Sequence, residues 1–385
     1  MNTEHPHAPR KRKIVMLLSN PATFDQRPLK EAHSLCTAGG QVTILAWDRE
    51  LETDSDSIFG DGLVIKRMRV RAGHGTPFLT VPKLVLFYAW CVTHLVGMKA
   101  DAIHCHDVDT LPAGYAAKAM KFWKPKLVYD MHDLPEAFLR FFPLATLAQK
   151  VFLSTARSAA AFVVVVNDRF VSYLGGLGFR RSKLVVVMNS PPIGSGRKDR
   201  PHGEEFNVLY YGWLGEERGV KLLVEALKGV GGVTLTIAGR GELEPYVRDA
   251  ANGDPSIRFL GWLRMEELEP VIVQADLIPS LYEPKTKNAQ IATPGKLLTA
   301  MSLSIPSLVP AGTYQAEIVE RFHCGVVVDW REVGDVRGSV MRLATDRAAY
   351  DSLAQSSYAA FVSYFSWEVM SRRLADAYDR ILPTA

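Results

Sequence analysis

The sequence predicts an α/β protein built of two doubly wound halves. Three observations carry that expectation. Short β-branched and apolar runs recur along the whole chain, helix-period stretches alternate with them, and a Pro/Gly/Ser segment near the middle, Ser190-Pro191-Pro192-Ile193-Gly194-Ser195-Gly196, divides the series in two. Apolar runs bounded by loops and separated by helices are the pattern of parallel strands covered on both faces. At 385 residues the chain is long for one domain, so two are expected.

In order, Lys13 to Ser19 (KIVMLLS) reads as a buried strand, and Pro28 to Ala38 as a helix ended by Gly39-Gly40. Strands follow at Val42–Trp47 and Val64–Val70, then a long apolar helix, Phe78 to Met98. Ala102–Cys105 is a strand ending in His106-Asp107, with a helix after Pro112. Leu127–Met131 is a strand ending in His132-Asp133, and a helix spans roughly Leu144 to Ser158. Ala161–Val166 ends in Asn167-Asp168, with a helix to Leu174, and Leu184–Met188 closes the first half. The charged run RKDRPHGEE extends the linker. The second half reads as strands at Val208–Tyr211, Val233–Ala238, Arg258–Leu260, Leu277–Leu281, Pro306–Val309 and Val326–Val328. Helices at Lys221–Lys228, Glu242–Ala250, Met265–Val273 and Pro294–Met301 fill the gaps, and Trp367–Leu382 is an amphipathic tail helix. Two such halves bring the C-terminal ends of both sheets to one cleft, where ligands of these sheets bind.

Composition narrows the class. The chain is 48% hydrophobic and 22% charged, which is ordinary for a soluble globular protein. The net charge of +4 does not indicate nucleic acid, and much of the basic bias sits in Arg10-Lys11-Arg12-Lys13. The four cysteines, Cys36, Cys91, Cys105 and Cys324, are scattered without a C-x-x-C, which favours buried thiols in a reducing cytoplasm. No signal peptide is visible. The Phe78–Met98 helix is interrupted by Pro82, Lys83 and His94, so it is expected to pack on a sheet. Phe78, Leu79, Phe87, Tyr88 and Trp90 leave a peripheral membrane contact open.

The stretch Tyr282 to Pro306 (YEPKTKNAQIATPGKLLTAMSLSIP) is chemically the most informative. Thr293 suits a helix cap and Pro294 the first turn. Lys296 falls in that first turn, where the helix dipole disfavours a cation unless an anion is bound. Free N–H groups, Gly295 and a cation together suit a phosphate; a solvated surface lysine is the plain alternative.

Several segments resemble the retaining GT-B glycosyltransferases of glycosyltransferase family 4, over nearly the whole chain. DQRPLKEAHSLCTAGGQVTILAW (Asp25 to Trp47), DAIHCHDVDTLPAG (Asp101 to Gly114) and KLVYDMHDLPE (Lys126 to Glu136) are similar to signatures of the family's N-terminal domain. YYGWLGEERGV (Tyr210 to Val220), IAGRGEL (Ile237 to Leu243), RFLGWL (Arg258 to Leu263) and PGKLLTAMSLSIP (Pro294 to Pro306) resemble its donor-binding domain, and FSWE (Phe365 to Glu368) the start of its returning helix. The resemblance implies a GT-B fold: residues 1–190 an acceptor-binding Rossmann-like domain, 191–206 a linker, 207–365 a nucleotide-sugar domain, and 366–385 a helix returning to the first.

It also implies roles. Arg218 and Lys296 clamp the donor phosphates, where cations and helix N-termini stabilise the charge of a diphosphate leaving group. His132 contacts the donor sugar, polarising or orienting it. Gly212, Trp213, Gly239, Arg240, Trp262, Leu263, Tyr282, Pro294, Gly295 and Thr299 line the donor side. Asp25, Gln26, Arg27, His106 and Asp107 line the acceptor side, with a mutual Asp25–Arg27 pair as the plain alternative. The implied chemistry is front-face transfer with retention, from a UDP- or GDP-linked hexose to a glycan, lipid-linked or small-molecule acceptor. No metal or other cofactor is expected: Asp107-Val108-Asp109 spells D-x-D, but a hard cation needs several converging oxygens. The expected site of action is the cytoplasm or the inner membrane face.

Two positions depart from the family pattern. Its glutamate pair falls near Ile291 and at Thr299, neither acidic, and its basic residue after Gly212 is replaced by Trp213. These departures keep a second class in view, a non-catalytic GT-B subunit of another transferase. A GT-B sugar-nucleotide epimerase is a third, and a dehydrogenase the least supported, since the first βα turn, SNPATFD, lacks G-x-G-x-x-G.

Overall fold

The computed structural model describes residues 11–23, 26–53, 56–72, 77–120, 123–134, 145–194 and 205–383. Within helices, nothing is stated of the side chains of Gln26 and of residues 77–80, 145, 146, 148 and 149. The chain forms two compact units, Met1–Val187 with Met370–Ala385, and Met188–Val369.

Unit 1 holds β1 (Lys13–Leu18), α1 (Gln26–Thr37), β2 (Gln41–Asp48), β3 (Ser57–Ile58), β4 (Leu63–Arg69), α2 (Pro77–Met98), β5 (Ala102–His106) and α3 (Leu111–Lys118). It continues with β6 (Lys126–Met131), α4 (Ala145–Ala159), β7 (Ala160–Val165), α5 (Asp168–Gly176) and β8 (Leu184–Val186). The sheet order is β3-β4-β2-β1-β5-β6-β7-β8, and every pairing is parallel except that of β3 with β4. The apolar runs explain this: β5 and β7 are buried on both faces almost throughout. Chain order reverses beside β1, so the loops leaving β1 and β5 form the topological switch point where such sheets bind ligands. Right-handed crossovers place α2, α3 and α4 on one face and α1 on the other. The Asn167 side chain caps α5, accepting from the N–H groups of Arg169 and Phe170 at 3.0 and 3.1 Å.

Unit 2 holds β9 (Phe206–Trp213), α6 (Val220–Leu227), β10 (Val233–Arg240), α7 (Glu244–Gly253), β11 (Ile257–Phe259), α8 (Met265–Val273) and β12 (Ile278–Pro279). It continues with α9 (Lys287–Ile291), α10 (Gly295–Ser302), β13 (Ser307–Pro310), α11 (Tyr314–Phe322), β14 (Gly325–Val328), α12 (Val333–Thr345) and α13 (Arg347–Ala360). Two parallel sheets, β11-β10-β9 and β12-β13-β14, are stitched by the Val208–Leu277 bridge. The expected strand over residues 277–281 shrinks to two residues, because Pro279 has no N–H to donate. After a π-turn at Phe361–Phe365, α14 (Trp367–Ile381) runs from unit 2 into unit 1. There Met370, Leu374, Ala377 and Tyr378 bury one stripe, and the Tyr378 ring packs edge-on to Phe162 at 5.4 Å.

The four cysteines are buried and unpaired. The expected Thr293 cap is corrected: α10 starts at Gly295, with Pro294 itself at the cap position and no side-chain cap bond. A proline there accepts no proton, so the first N–H groups of α10 are left to other partners.

Gly239 ends β10 opposite Gly212 of β9, and a Cβ on it would stand 1.9 Å from the Gly212 carbonyl oxygen. That approach brings two backbones together at the C-terminal end of the sheet. Gly239→Ala is therefore expected to destabilise unit 2 by about 2–4 kcal/mol, a magnitude set by overpacking against rigid backbone. A urea-unfolding midpoint unchanged from wild type would contradict this close packing.

Candidate active site

In unit 1 the candidate side chains converge on Asp130, near the end of β6. Strand alternation puts Asp130 beside His104 and His106 of β5, and α1 delivers Arg27 and Glu31 one turn apart. Arg27 donates from Nε to Glu31 Oε1 at 2.9 Å and from Nη2 to Asp130 Oδ1 at 2.5 Å. The other Asp130 oxygen, Oδ2, lies 3.2 Å from His106 Nδ1 and 3.1 Å from His132 Nε2. His104 Nδ1 meets the Tyr378 hydroxyl at 2.9 Å, which ties α14 to the same cluster. Asp107 sits at φ 59°, in the left-handed region. This strained turn lets its N–H bond the Asp130 carbonyl at 2.9 Å while its carboxylate accepts from the His132 N–H at 3.2 Å.

These neighbours separate the two histidines chemically. Burial lowers His106, and the adjacent His104 adds to this, taking it to about 3, so it is neutral. Burial also opposes charge on His132, but Asp130 and Asp107 outweigh it and lift the imidazole to about 9. Asp107 is raised to about 7, chiefly by burial. Burial alone would raise Asp130, yet Arg27 and His132 hold it well below the ordinary carboxylate range. His132 is thus an imidazolium at neutral pH, held on one nitrogen by Asp130 and facing Asp107 Oδ2 from the other at 3.6 Å.

Glu31, His104, His106 and Asp130 offer atoms that lie within 4.8 Å of one another, a spacing a metal could use. The charges argue otherwise. Arg27 already binds one oxygen of each carboxylate, and His132 supplies a second positive charge, so a dication would add charge without compensation. The cluster is an ionic network in which Asp130 holds one nitrogen of His132, while Glu31 Oε2, His104 Nε2 and His106 Nε2 are buried without a hydrogen-bond partner among the described residues.

Unit 2 carries a separate candidate cluster. Lys296 is buried, with 9% exposure, and its ammonium lies 4.8, 5.6 and 5.3 Å from the ring centres of Tyr210, Tyr211 and Tyr282. Among the described residues it makes no hydrogen bond and no ion pair. The Arg218 guanidinium lies over the Tyr282 ring at 4.4 Å and donates to Glu217 Oε1 at 3.0 Å. Burial, reinforced by Arg218, lowers Lys296 to about 8. Gly212 makes room for it: a Cβ there would stand 3.2 Å from Nζ. Beside this corner a cavity of about 390 Å³ is lined by Tyr211, Gly212, Trp213, Gly239, Arg240, Trp262, Leu263 and neighbours. Trp213 and Trp262 expose more than half their surface, and Arg240 lies 5.4 Å from the Trp262 ring centre. Thr299 shares a side-chain hydrogen bond with Tyr211.

The structure therefore brings Gly212, Trp213, Gly239, Arg240, Trp262 and Leu263 together around one cavity, with Arg218, Tyr282 and Lys296 at a neighbouring corner. Pro294 and Gly295 lead into the helix that carries Lys296. The plain alternative for Lys296, a solvated lysine, is excluded by its burial. Two acceptor-side expectations are corrected. Arg27 is 2% exposed and turned into the unit, pairing with Glu31 and Asp130; the expected alternative partner, Asp25, lies outside the described residues. His106 is likewise buried, behind His132. Gln26 opens α1, and only its backbone is described. Glu31, His104, Asp130, Tyr210 and Tyr211 were missed by sequence reasoning. Their one sequence signal is alternation: His104/His106 and Asp130/His132 are both spaced by two.

Two measurements check the network. Arg27→Leu strips the counter-ion from two buried carboxylates and is expected to cost about 3–5 kcal/mol in urea unfolding; a loss below about 1 kcal/mol would contradict the pairing. The folded His132 pKa, about 9, is raised above its unfolded value. Its stabilisation is therefore complete below about pH 6.5 and disappears as pH rises through the folded value. A His132→Gln variant should lack this alkaline loss; an unchanged pH profile would contradict the assignment.

Comparison with known proteins identifies the fold and the family. A glycosyl transferase 4-like domain matches residues 26–190, and a glycosyl transferases group 1 domain matches residues 205–346. No curated protein matches by sequence. Among solved structures, a sucrose-phosphate synthase from Thermosynechococcus elongatus superposes with a TM-score of 0.76 at 15% identity, covering 96% of this chain and 99% of its own. HepE of Anabaena, in complex with UDP, gives 0.72 at 17% identity, covering 96% and 100%. A Rickettsia africae glycosyltransferase gives 0.68 at 13%, covering 98% and 100%. At such identities these likenesses establish the GT-B fold, and the two domain matches establish the family: the chain belongs to the group 1 glycosyltransferases, enzymes that transfer sugars.

Proposed function

We propose that the protein is a retaining, metal-independent hexosyltransferase that uses a nucleoside-diphosphate sugar. The observation that carries this reading is Lys296, a desolvated ammonium with no carboxylate against it among the described residues, next to Arg218 and to a cavity walled by tryptophans. A buried cation with no counter-ion among the described residues is poised for an anion, and a second cation beside it, Arg218, suits a diphosphate. The cavity has an aromatic, glycine-opened wall suited to a nucleobase. UDP is the favoured base carrier because HepE is crystallised with UDP and with UDP-glucose; GDP remains the other candidate.

In this reading unit 2 holds the donor and unit 1 takes the acceptor. As the sugar–phosphate bond breaks, Lys296 and Arg218 take up charge developing on the leaving diphosphate, while the departing phosphate oxygen accepts the acceptor's proton on the same face. His132 supplies a fixed positive ring that orients the donor sugar. Asp130, Arg27 and His106 position that ring, and Asp107, largely buried and raised to about 7, is the carboxylate on the acceptor side. The departures gain a physical account. Thr299 is engaged with Tyr211 and offers a ribose at most a neutral contact, while the cation expected after Gly212 is replaced by the aromatic surface of Trp213. The chemistry is assigned to the cytoplasm or its membrane face, on a glycan, lipid-linked or small-molecule acceptor.

Calorimetric titration with UDP and GDP, beside a turnover assay, tests the assignment. Lys296→Ala should weaken nucleotide binding at least tenfold, about 1.4 kcal/mol or more, and lose turnover with the fold intact. His132→Ala should lower turnover far more than nucleotide affinity. Unchanged binding in the lysine variant would remove the phosphate assignment. Equal losses of both quantities in the histidine variant would make His132 structural, and abolition of activity by chelator would overturn metal independence.

A further inference from the structure

Helix α2 is apolar on the wrong side for a soluble domain. Its inner face is accounted for: Phe87, Cys91 and Leu95 are fully buried, and the Phe87 ring stacks on Trp47 of β2 at 5.4 Å. Its outer stripe, from Val81 through Val85 and Leu86 to Gly97, is exposed and carries no charged residue. Val85 and Leu86 expose 59% and 52% of their surface. A solvated helix normally turns charge outward, and one apolar all round needs another cover. The window Val81–Met98 has a mean hydropathy of 1.4 and is only 17% buried, which is long and apolar enough to cross a membrane by composition alone. The packed inner face argues against crossing, since spanning would pull Phe87, Cys91 and Leu95 out of the core.

The surface continues beyond α2. Helix α3 packs beside it and α4 beside α3, and α4 exposes Leu147 and Val151. The three helices, of 22, 8 and 15 residues, contain no Asp or Glu. Their charges are basic, with Lys150 and Arg157 exposed on α4. An apolar strip on helices whose only charged side chains are cations complements an anionic lipid surface: the strip enters the acyl boundary and the cations meet the headgroups. The strip begins at the functional end of unit 1. A crossover helix between parallel strands begins at their C-terminal ends, and the Tyr88 hydroxyl donates to the Asp109 carbonyl at 2.7 Å, beside Asp107.

We propose that the outer face of α2 and α4 docks the protein onto an anionic lipid bilayer. Resting on the transferase reading above, this makes the acceptor a lipid-borne one, presented at the membrane surface to the Asp107 end of unit 1.

Flotation with phosphatidylcholine vesicles, with and without phosphatidylglycerol, tests the surface directly. The wild type is expected to float with the anionic vesicles and to release as salt is raised. The double variant Val85→Glu/Leu86→Glu, at exposed positions the core does not use, should bind them at least about tenfold more weakly while melting and binding UDP as wild type does. No flotation of the wild type, or equal flotation of the variant, overturns the proposal. So does a dimer that the double variant abolishes, without vesicle binding, because the strip then covers a second copy. Flotation lost in the variant, with no nucleotide bound by either protein, supports the docking surface and removes the transferase reading alone.

Discussion

A buried charge has to meet an opposite charge, and both units are organised around that constraint. In unit 1 it is met internally. Asp130 gathers Arg27, His106 and His132, Glu31 completes the bidentate hold on Arg27, and Tyr378 of the last helix closes the cluster through His104. In unit 2 it is left open. Lys296 has three tyrosine rings in place of a carboxylate, and a second cation, Arg218, nearby. A charge-paired network orients a side chain, whereas an unpaired cation invites an anion. On the proposed reading, that contrast divides the labour of a sugar transferase between a preset imidazolium and a preset diphosphate clamp.

The glycines and strands serve this charge arrangement. Gly212 and Gly239 face each other across β9 and β10, and the missing side chains leave room for the ammonium on one side and the cavity on the other. The left-handed turn at Asp107 does similar work in unit 1, letting one residue bond both Asp130 and His132. Both features sit at C-terminal strand ends, where unpaired backbone and loop freedom make such geometry attainable.

Much of this was legible in the sequence, and the gaps have physical causes. Parallel strands announce themselves by uninterrupted apolar runs, so their positions were readable to within a residue or two. β12 was overextended because Pro279 limits pairing in a way an apolar run conceals. Lys296 stood out by its place in a helix's first turn, although the reason for its importance differs: it is desolvated among Tyr210, Tyr211 and Tyr282, which only the fold assembles. The sequence places Arg27 on the acceptor side, beside Asp25, and conceals its burial because its partner Asp130 is 103 positions away. Long-range ion pairs leave no periodic trace. What did leave one, the two-residue spacing of His104/His106 and Asp130/His132, shows that adjacent strands turn a titratable pair to the same face. The long helix is a mixed case: its apolarity was plain, but only its exposed stripe distinguishes a docking surface from a core helix.

The central claim is that Lys296 is held partly discharged and awaits a phosphate. Proton exchange on UDP binding tests it most directly, measured calorimetrically near pH 8 in two buffers of different ionisation enthalpy. With the free lysine lowered to about 8, a bound diphosphate should raise it, so the account predicts net proton uptake that vanishes in Lys296→Ala. UDP binding with no proton uptake, or uptake that persists in the variant, would contradict it.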